Sequence, residues 1–483
     1  MKAYKTLIFI VSILVALGII SAVFPEKGVD LGEKHLYFPT IEDMVNKESG
    51  HSTAASARVK EMEESLRIRN HMDSLAHADS LAYIDSLSFY LDFFKKHPSR
   101  ISLPGNDVNY LNDLFTALDN CHGKEVIHIL HYGDSQIEGD RITGTIRQKL
   151  QEKFGGKGPG LIPAIQPIPT SAVGQSASGN LVRYTIAGSH QNKISHGRYG
   201  VMGQVSVMSG ESSVSVSTRN WKETHEKVKE FEYVRLYVGQ ASSNFRADLT
   251  AADKTVIPGK TKKINSSLDV YTWKLEQPTK RFNLRMYGSG EIYGISADGS
   301  SGIAMNNIPF RGSSGTFYTA IDSTLLATMY KELNTRLILL EFGGNTVPYS
   351  KTEKSIATYK KTMSKQIAFL RRICPEAKII LIGPADMSTK VQGKLQSYPH
   401  LESFVEALKE AALENGAAFW NMYEVMGGRD SMIEWVKNSP SLASPDYIHF
   451  NNRGAERVGD LFYESLMIYY DYYTFNKEQK NKR

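Results

Sequence analysis

The stretch that most constrains this chain runs from Val126 to Leu150. Residues 126–130 form an apolar-rich run that predicts a short buried strand. The run stops at Gly133-Asp134-Ser135, after which Ile142, Ile146 and Leu150 recur every four residues, the spacing of one helix face. A serine is therefore set on the turn between a strand and a helix. In an open α/β sheet that turn lies at the carboxyl end of a strand, where such sheets place their chemistry. The first N–H groups of the helix lack helical partners, and its dipole favours negative charge there. Ser135 thus gains a polarising environment, and its own N–H can face an oxyanion. Gly-Asp-Ser alone is also what an ordinary helix cap looks like, with Asp134 or Ser135 as the cap. The rest of the chain decides between the two.

Downstream, strands alternate with helices. Residues 336–341 read as a buried strand followed by Phe342-Gly343-Gly344-Asn345. A helix is expected over 355–374, a strand over 378–382 and a helix near 400–415. A strand at 418–420, the segment Ser444-Pro445-Asp446-Tyr447-Ile448-His449-Phe450 and a helix over 454–470 follow. This alternation implies a mostly parallel sheet covered on both faces. Between 175 and 295 the pattern changes to short alternating segments at 182–186, 203–208, 213–218, 233–238, 244–249, 270–275 and 282–287, with Gly, Ser or Asn between them. That predicts a β-sandwich of jelly-roll type set into one α/β domain. Its aromatics Trp221, Tyr271 and Trp273 are either stacking surfaces for sugar rings or core.

The N-terminus is apolar. Lys2 and Lys5 precede residues 7–24, an 18-residue run without charge that ends at Pro25-Glu26-Lys27. Such a run is just long enough to span a bilayer. A membrane anchor over 1–27 is expected, with a cleaved signal segment as the alternative. Either places the rest of the chain on the periplasmic or extracellular side. Residues 28–100 read as a linker and stalk helix, 101–174 and 296–475 as the two parts of the α/β domain, 175–295 as the sandwich and 476–483 as a basic tail. A net charge of +6, much of it in that tail, is too mild to argue for nucleic acid. Cys121 and Cys374 alone exclude a disulfide framework. No His, Asp or Glu cluster has metal-ligand spacing, and no glycine motif of a nucleotide site follows a strand, so no metal or cofactor is expected.

Ser135, Asn345 and the pair Asp446/His449 fall at or near strand ends. Acyl transfer through a serine needs these parts. A hydroxyl is a weak nucleophile and needs a base, His449. The imidazole needs its tautomer fixed, which Asp446 can do through Nδ1–H. The oxyanion needs donors, for which Ser135 N–H and the Asn345 amide are candidates. Asp134 is expected to orient the turn. His128 and His131 are expected as structural histidines, His128 in the core, with His131 lining the site as the alternative, and Glu138 with Asp140 as acids matched to the helix dipole.

Gly133-Asp134-Ser135, Gly343-Gly344-Asn345 and Asp446-x-x-His449, in that order, resemble blocks I, III and V of the SGNH (GDSL-type) hydrolase superfamily. The resemblance covers about 105–170 and 296–470. It implies a flavodoxin-like three-layer α/β fold, Ser135, His449 and Asp446 as catalytic residues, Asp134 and Gly344 in support, and an oxyanion hole from Ser135, Asn345 and a second-block glycine. The second block departs from the usual Asn-Gly-Ala; Arg311-Gly312-Ser313 is its counterpart, making Gly312 the donor, with Gly315 as the fallback. Gly133-Asp134-Ser135-Gln136-Ile137-x-Gly139-Asp140 with Thr143, Arg147 and Phe154-Gly155, and Trp420-x-Met422-Tyr423-x-x-Met426-Gly427-Gly428, are similar to the peptidoglycan O-acetylesterases of that superfamily, which carry a carbohydrate-binding-like β-module in the same place. The resemblance implies an esterase acting on an acetylated, exported glycan. An O-acetyltransferase with the same triad, and a non-catalytic glycan-binding protein, are the alternatives.

Overall fold

The structure is a computed structural model that describes residues 29–31, 34–36, 59–60, 80–188, 192–265 and 267–481. The chain divides into Met1–Ala54 and Ala55–Arg483. In the first unit Val29–Leu31 pairs with Lys34–Leu36 as an antiparallel hairpin. The expected membrane segment at 7–24 and most of the expected stalk lie outside the described residues. Among the described residues no helix is long and apolar enough to cross a membrane.

The second unit is built on a six-stranded sheet. Its strands are β1 (Ile101–Ser102), β2 (Val126–Gly133), β3 (Gly302–Pro309), β4 (Thr335–Glu341), β5 (Lys378–Ile382) and β6 (Ala418–Trp420), in the order β3-β2-β4-β5-β6-β1. All neighbours are parallel except β6 and β1. Residues alternate between two cores. Ile127, Ile129, Leu337, Leu339, Ile380 and Ile382 face one, shared with helices α1 (Ser80–Lys96), α2 (Asn112–Cys121), α3 (Arg141–Phe154) and the long C-terminal helix Asn452–Asn481. Leu130, Tyr132, Ile338, Leu340, Ile379 and Leu381 face the other, shared with α4 (Ser323–Glu332), α5 (Glu353–Ile373) and α6 (Leu401–Glu414). Burial on both faces is why β4 and β5 read as unbroken apolar runs and β2 as one broken only by histidines. Each fully buried Leu or Ile contributes roughly 1.5–3 kcal/mol. The result is the expected three-layer α/β arrangement. The C-terminal helix continues through most of the expected basic tail, and Lys477 reaches Asp119 at 2.9 Å.

Residues 160–298 form a second, nine-stranded sheet. The jelly-roll sandwich expected there takes a different form: one hydrogen-bonded sheet whose two halves share the 18-residue strand Arg281–Asp298. Along one edge this strand pairs with Gln204–Thr218 and then Gly160–Ile162; along the other, with Arg246–Thr250 and then Phe231–Gly239. The register with Phe231–Gly239 shifts between Ile292 and Gly294, opposite the point where Gly160–Ile162 takes over from Gln204–Thr218 on the other edge. Val214 and Leu284 from one half meet Leu236 and Trp273 from the other in a single core. The segments 203–208 and 213–218 are one strand. The sheet also starts earlier and ends later than 175 and 295. The glycine-rich run after α3 leads into it: a Cβ on Gly158, which has φ 84°, would lie 2.2 Å from the Ala297 carbonyl oxygen. Tyr271 and Trp273 are buried in this core, whereas Trp221 is 45% exposed.

Cys121 and Cys374 are free and buried, and burial pushes their thiols up to about 11 and about 12. Neither is a nucleophile at neutral pH.

Candidate active site

The carboxyl ends of β2 and β4 and the loop before the C-terminal helix meet at one cavity of about 190 Å³. Ser135 Oγ lies 2.9 Å from His449 Nε2. His449 Nδ1 lies 2.8 Å from Asp446 Oδ2. The other Asp446 oxygen accepts the N–H groups of Ile448 and His449 at 2.9 and 3.0 Å. Burial pushes the Asp446 carboxyl up, but these donors and the His449 ring outweigh it and hold the carboxyl below the usual range. An anionic Asp446 fixes the proton on Nδ1 and leaves Nε2 to accept from Ser135. Tyr447, at φ 58°, supplies the left-handed turn that folds Asp446 back onto His449.

Gln136 joins the two segments. Its amide nitrogen donates to the Ile448 carbonyl at 2.7 Å, and its oxygen accepts from Phe450 N–H at 3.2 Å. Arg141 adds a second clamp, donating to the carbonyls of Ser135, Glu138 and Phe450 at 2.6, 2.9 and 2.8 Å. The bonds to Ile448 and Phe450 span more than 300 residues of sequence and tie the serine turn to the histidine loop. Gln136 lies in the motif that carries the resemblance and Arg141 just after it, but their partners are not readable from one sequence.

Asn345 lines the same cavity. Its amide nitrogen donates to Asp134 Oδ2 at 2.9 Å and to the Ser313 carbonyl at 3.1 Å. An oxyanion must therefore share or displace one of these acceptors, and the longer bond to Ser313 is the weaker hold. Ser135 and Gly344 also line the cavity, and among the described residues no acceptor faces either backbone N–H. Gly344, expected only in support, is thus an available donor. The second-block expectation fares differently. Gly312 turns at φ 73° after β3 and does not line this cavity; the Ser313 carbonyl is what reaches Asn345. Gly315 N–H is spent on Ser313 Oγ at 3.1 Å. Arg311, beside Gly312, pairs with Glu138.

The acids of the turn are not dipole-matched surface caps. Glu138 is buried against Arg311, and Asp140 holds Arg147 through bonds of 2.6 and 2.8 Å. Arg147 is 1% exposed and also donates to the Met305 carbonyl of β3 at 2.6 Å. A buried guanidinium needs a carboxylate and a full set of acceptors, which explains Asp140 and Arg147 at that spacing. His128 is a core histidine, beside Asn306, and burial lowers its pKa. His131 is fully buried below the site, 3.1 Å from Glu341 and 2.9 Å from Thr143. Glu341 ends β4 and lines the cavity, with its second oxygen unpaired among the described residues. Its pairing with His131 follows from the β2–β4 register. Among the described residues no group of acids, histidines and cysteines could hold a metal ion.

Burial pushes the Asp134 carboxyl up to about 7, aided by the charge of Glu341 and opposed by Gln136 N–H and Asn345. The folded protein therefore holds this proton more tightly than the unfolded chain does. Between the unfolded value, about 4, and about 7, folded molecules bind more protons, so this group's contribution to stability falls as pH rises and levels off above 7. Urea denaturation at pH 5 and pH 8 reads this directly. Asp134→Asn is expected to lose less stability than the parent between those two values; parallel losses would contradict it.

Residues 298–457 match the GDSL-like Lipase/Acylhydrolase family. The chain carries a GDSL-type hydrolase domain. The matched stretch holds Asn345, Asp446 and His449 but starts after Ser135. Ser135 reaches them in space because β2 pairs with both β3 and β4, while the nine-stranded sheet occupies the sequence between. No curated protein matches this chain in sequence. Its structure is similar to one described as "Peptidoglycan O-acetylesterase in action", at 17% identity and a TM-score of 0.58, covering 74% of this chain and 95% of that one. An acetyl xylan esterase aligns at 16% identity over 34% of this chain and 81% of that one, with a TM-score of 0.27. A family two carbohydrate esterase from Cellvibrio japonicus aligns at 8% identity over 62% and 99%, with a TM-score of 0.25. At 17% identity the first likeness speaks for the fold; the other two add nothing to it.

Proposed function

We propose that this hydrolase is an exported serine esterase that removes O-acetyl groups from a cell-wall or other polysaccharide through an acetyl-serine intermediate. The observation that carries the reading is the 2.9 Å contact between Ser135 Oγ and His449 Nε2, with Nδ1 of the same ring on Asp446. The cavity beside it is small and has apolar walls from Ala385, Met387, Met422 and Ile448, which suits a short acyl group. Tyr349, 81% exposed at its rim, offers a ring to a sugar. The likeness to a peptidoglycan O-acetylesterase supports a glycan ester as substrate.

In this reading Ser135 Oγ attacks the acetyl carbonyl carbon while His449 Nε2 takes its proton. The tetrahedral oxyanion is held by Asn345 and the N–H groups of Ser135 and Gly344. Collapse breaks the bond to the sugar oxygen, which leaves with the proton from His449. Water, deprotonated by His449, then attacks the acetyl-serine and frees acetate. Residues 7–24 either anchor the hydrolase in the membrane or are removed on export, so catalysis takes place outside the cytoplasm. The test is acetate release by the full chain from O-acetylated peptidoglycan and acetylated xylan, with de-acetylated glycans as controls. Acetate from at least one acetylated glycan is expected. Hydrolysis of long-chain acyl esters with none from either glycan would sink the proposal.

A further inference from the structure

A second cleft, of about 730 Å³, lies beside the nucleophile motif. One wall is the loop 219–228, which leaves the nine-stranded sheet; the other is formed by Gly139–Arg141 and the start of the C-terminal helix at Asn452 and Arg453. Trp221 stands on the loop wall and is 45% exposed, with the Arg219 guanidinium over its ring at 4.3 Å. An exposed indole alone means little. Here the loop that carries it is held at every turn. Trp221 N–H donates to Thr224 Oγ1 at 3.1 Å, and that hydroxyl donates to the Ser171 carbonyl at 2.7 Å. Lys227 N–H donates to Gln148 at 2.9 Å, and Asn452 approaches Glu223 at 3.4 Å. His225 lies so close over α3 that a Cβ on Gly144 would be 3.1 Å from its ring. The indole is thus presented by a fixed support, which lowers the ordering cost of binding.

The cleft is joined to the catalytic site. Arg141 lines it and also donates to the carbonyls of Ser135 and Phe450. Asn452 and Arg453 follow His449 by three and four residues. Its walls alternate in charge, with Arg141, Lys222 and Arg453 against Glu223 and Glu456. Such a surface offers donors and acceptors in turn, together with an aromatic plane. It does not build the one-signed field that a polyanion needs. Dense, uncharged hydroxyls beside the flat C–H face of a sugar ring match it.

Building on the esterase reading, we propose that this cleft is a saccharide subsite, in which Trp221 stacks on a sugar of the same glycan chain whose acetyl group lies at Ser135. Trp221 then acts on the binding of extended substrates and leaves the chemical step alone.

The test compares the full chain with Trp221→Ala and Trp221→Phe on O-acetylated chito-, xylo- and mannotetraose and on p-nitrophenyl acetate. For the best tetrasaccharide, Trp221→Ala is expected to raise KM by about tenfold with kcat little changed. Trp221→Phe should recover most of the loss, and p-nitrophenyl acetate kinetics should be the same for all three proteins. Equal KM values for the parent and Trp221→Ala on that tetrasaccharide overturn the subsite, as does an equal loss on p-nitrophenyl acetate. Should the parent hydrolyse no ester, the esterase reading falls and the subsite is judged by calorimetric binding of the unacetylated tetrasaccharides. Binding that Trp221→Ala removes then upholds the cleft, and no binding by the parent overturns it.

Discussion

Ser135→Ala is expected to lower kcat for acetyl ester hydrolysis by about 10⁴-fold or more. The alanine removes the only atom that bonds to the acyl carbon. His449→Ala should cost about as much, and the double variant little more, because hydroxyl and imidazole act as one unit. The geometry gives the reason. The hydroxyl faces Nε2 at 2.9 Å, and Nδ1 is engaged by Asp446 at 2.8 Å, so neither group works without the other. Steady-state kinetics on p-nitrophenyl acetate measure all three. Strictly additive losses from the two single variants would mean that the pair does not operate together.

The second large effect concerns the oxyanion. Asn345→Ala is expected to lower kcat by about 10²- to 10³-fold with a small change in KM. The side chain lines the cavity and gives both its N–H groups to protein acceptors, Asp134 and the Ser313 carbonyl. As charge develops on the substrate oxygen, that oxygen becomes a stronger acceptor than the carbonyl at 3.1 Å. Stabilisation therefore appears in the transition state rather than on substrate binding. A loss confined to KM would assign Asn345 to substrate binding instead.

Local pattern revealed the architecture of the α/β part. Strands β4 and β5 are buried on both faces and stand out as apolar runs. Ser135 is marked by the strand–turn–helix around it, and Asp446 and His449 share one short loop that closes on itself. What stayed hidden depends on contacts between distant segments. Glu138 and Asp140 look like surface acids until Arg311 and Arg147 are seen to bury them. Gln136 and Arg141 find their carbonyl partners more than 300 residues away. Gly312 follows a strand as the resemblance implies for a second-block glycine, yet it is off the cavity wall, and its neighbour Arg311 pairs with Glu138 across the sequence. In the nine-stranded sheet, short alternating segments announced strands. They did not show that one 18-residue strand serves both halves, because pairing partners leave no trace in the alternation itself.

The central claim is that Ser135 carries the acyl group. It is tested most directly by treating the full chain with a p-nitrophenyl phosphonate and locating the adduct by peptide mass spectrometry. The account predicts one phosphonyl group, on Ser135, formed in step with loss of esterase activity and absent from both Ser135→Ala and His449→Ala. Activity lost with the adduct on another residue, or an adduct that forms equally well without His449, would contradict it.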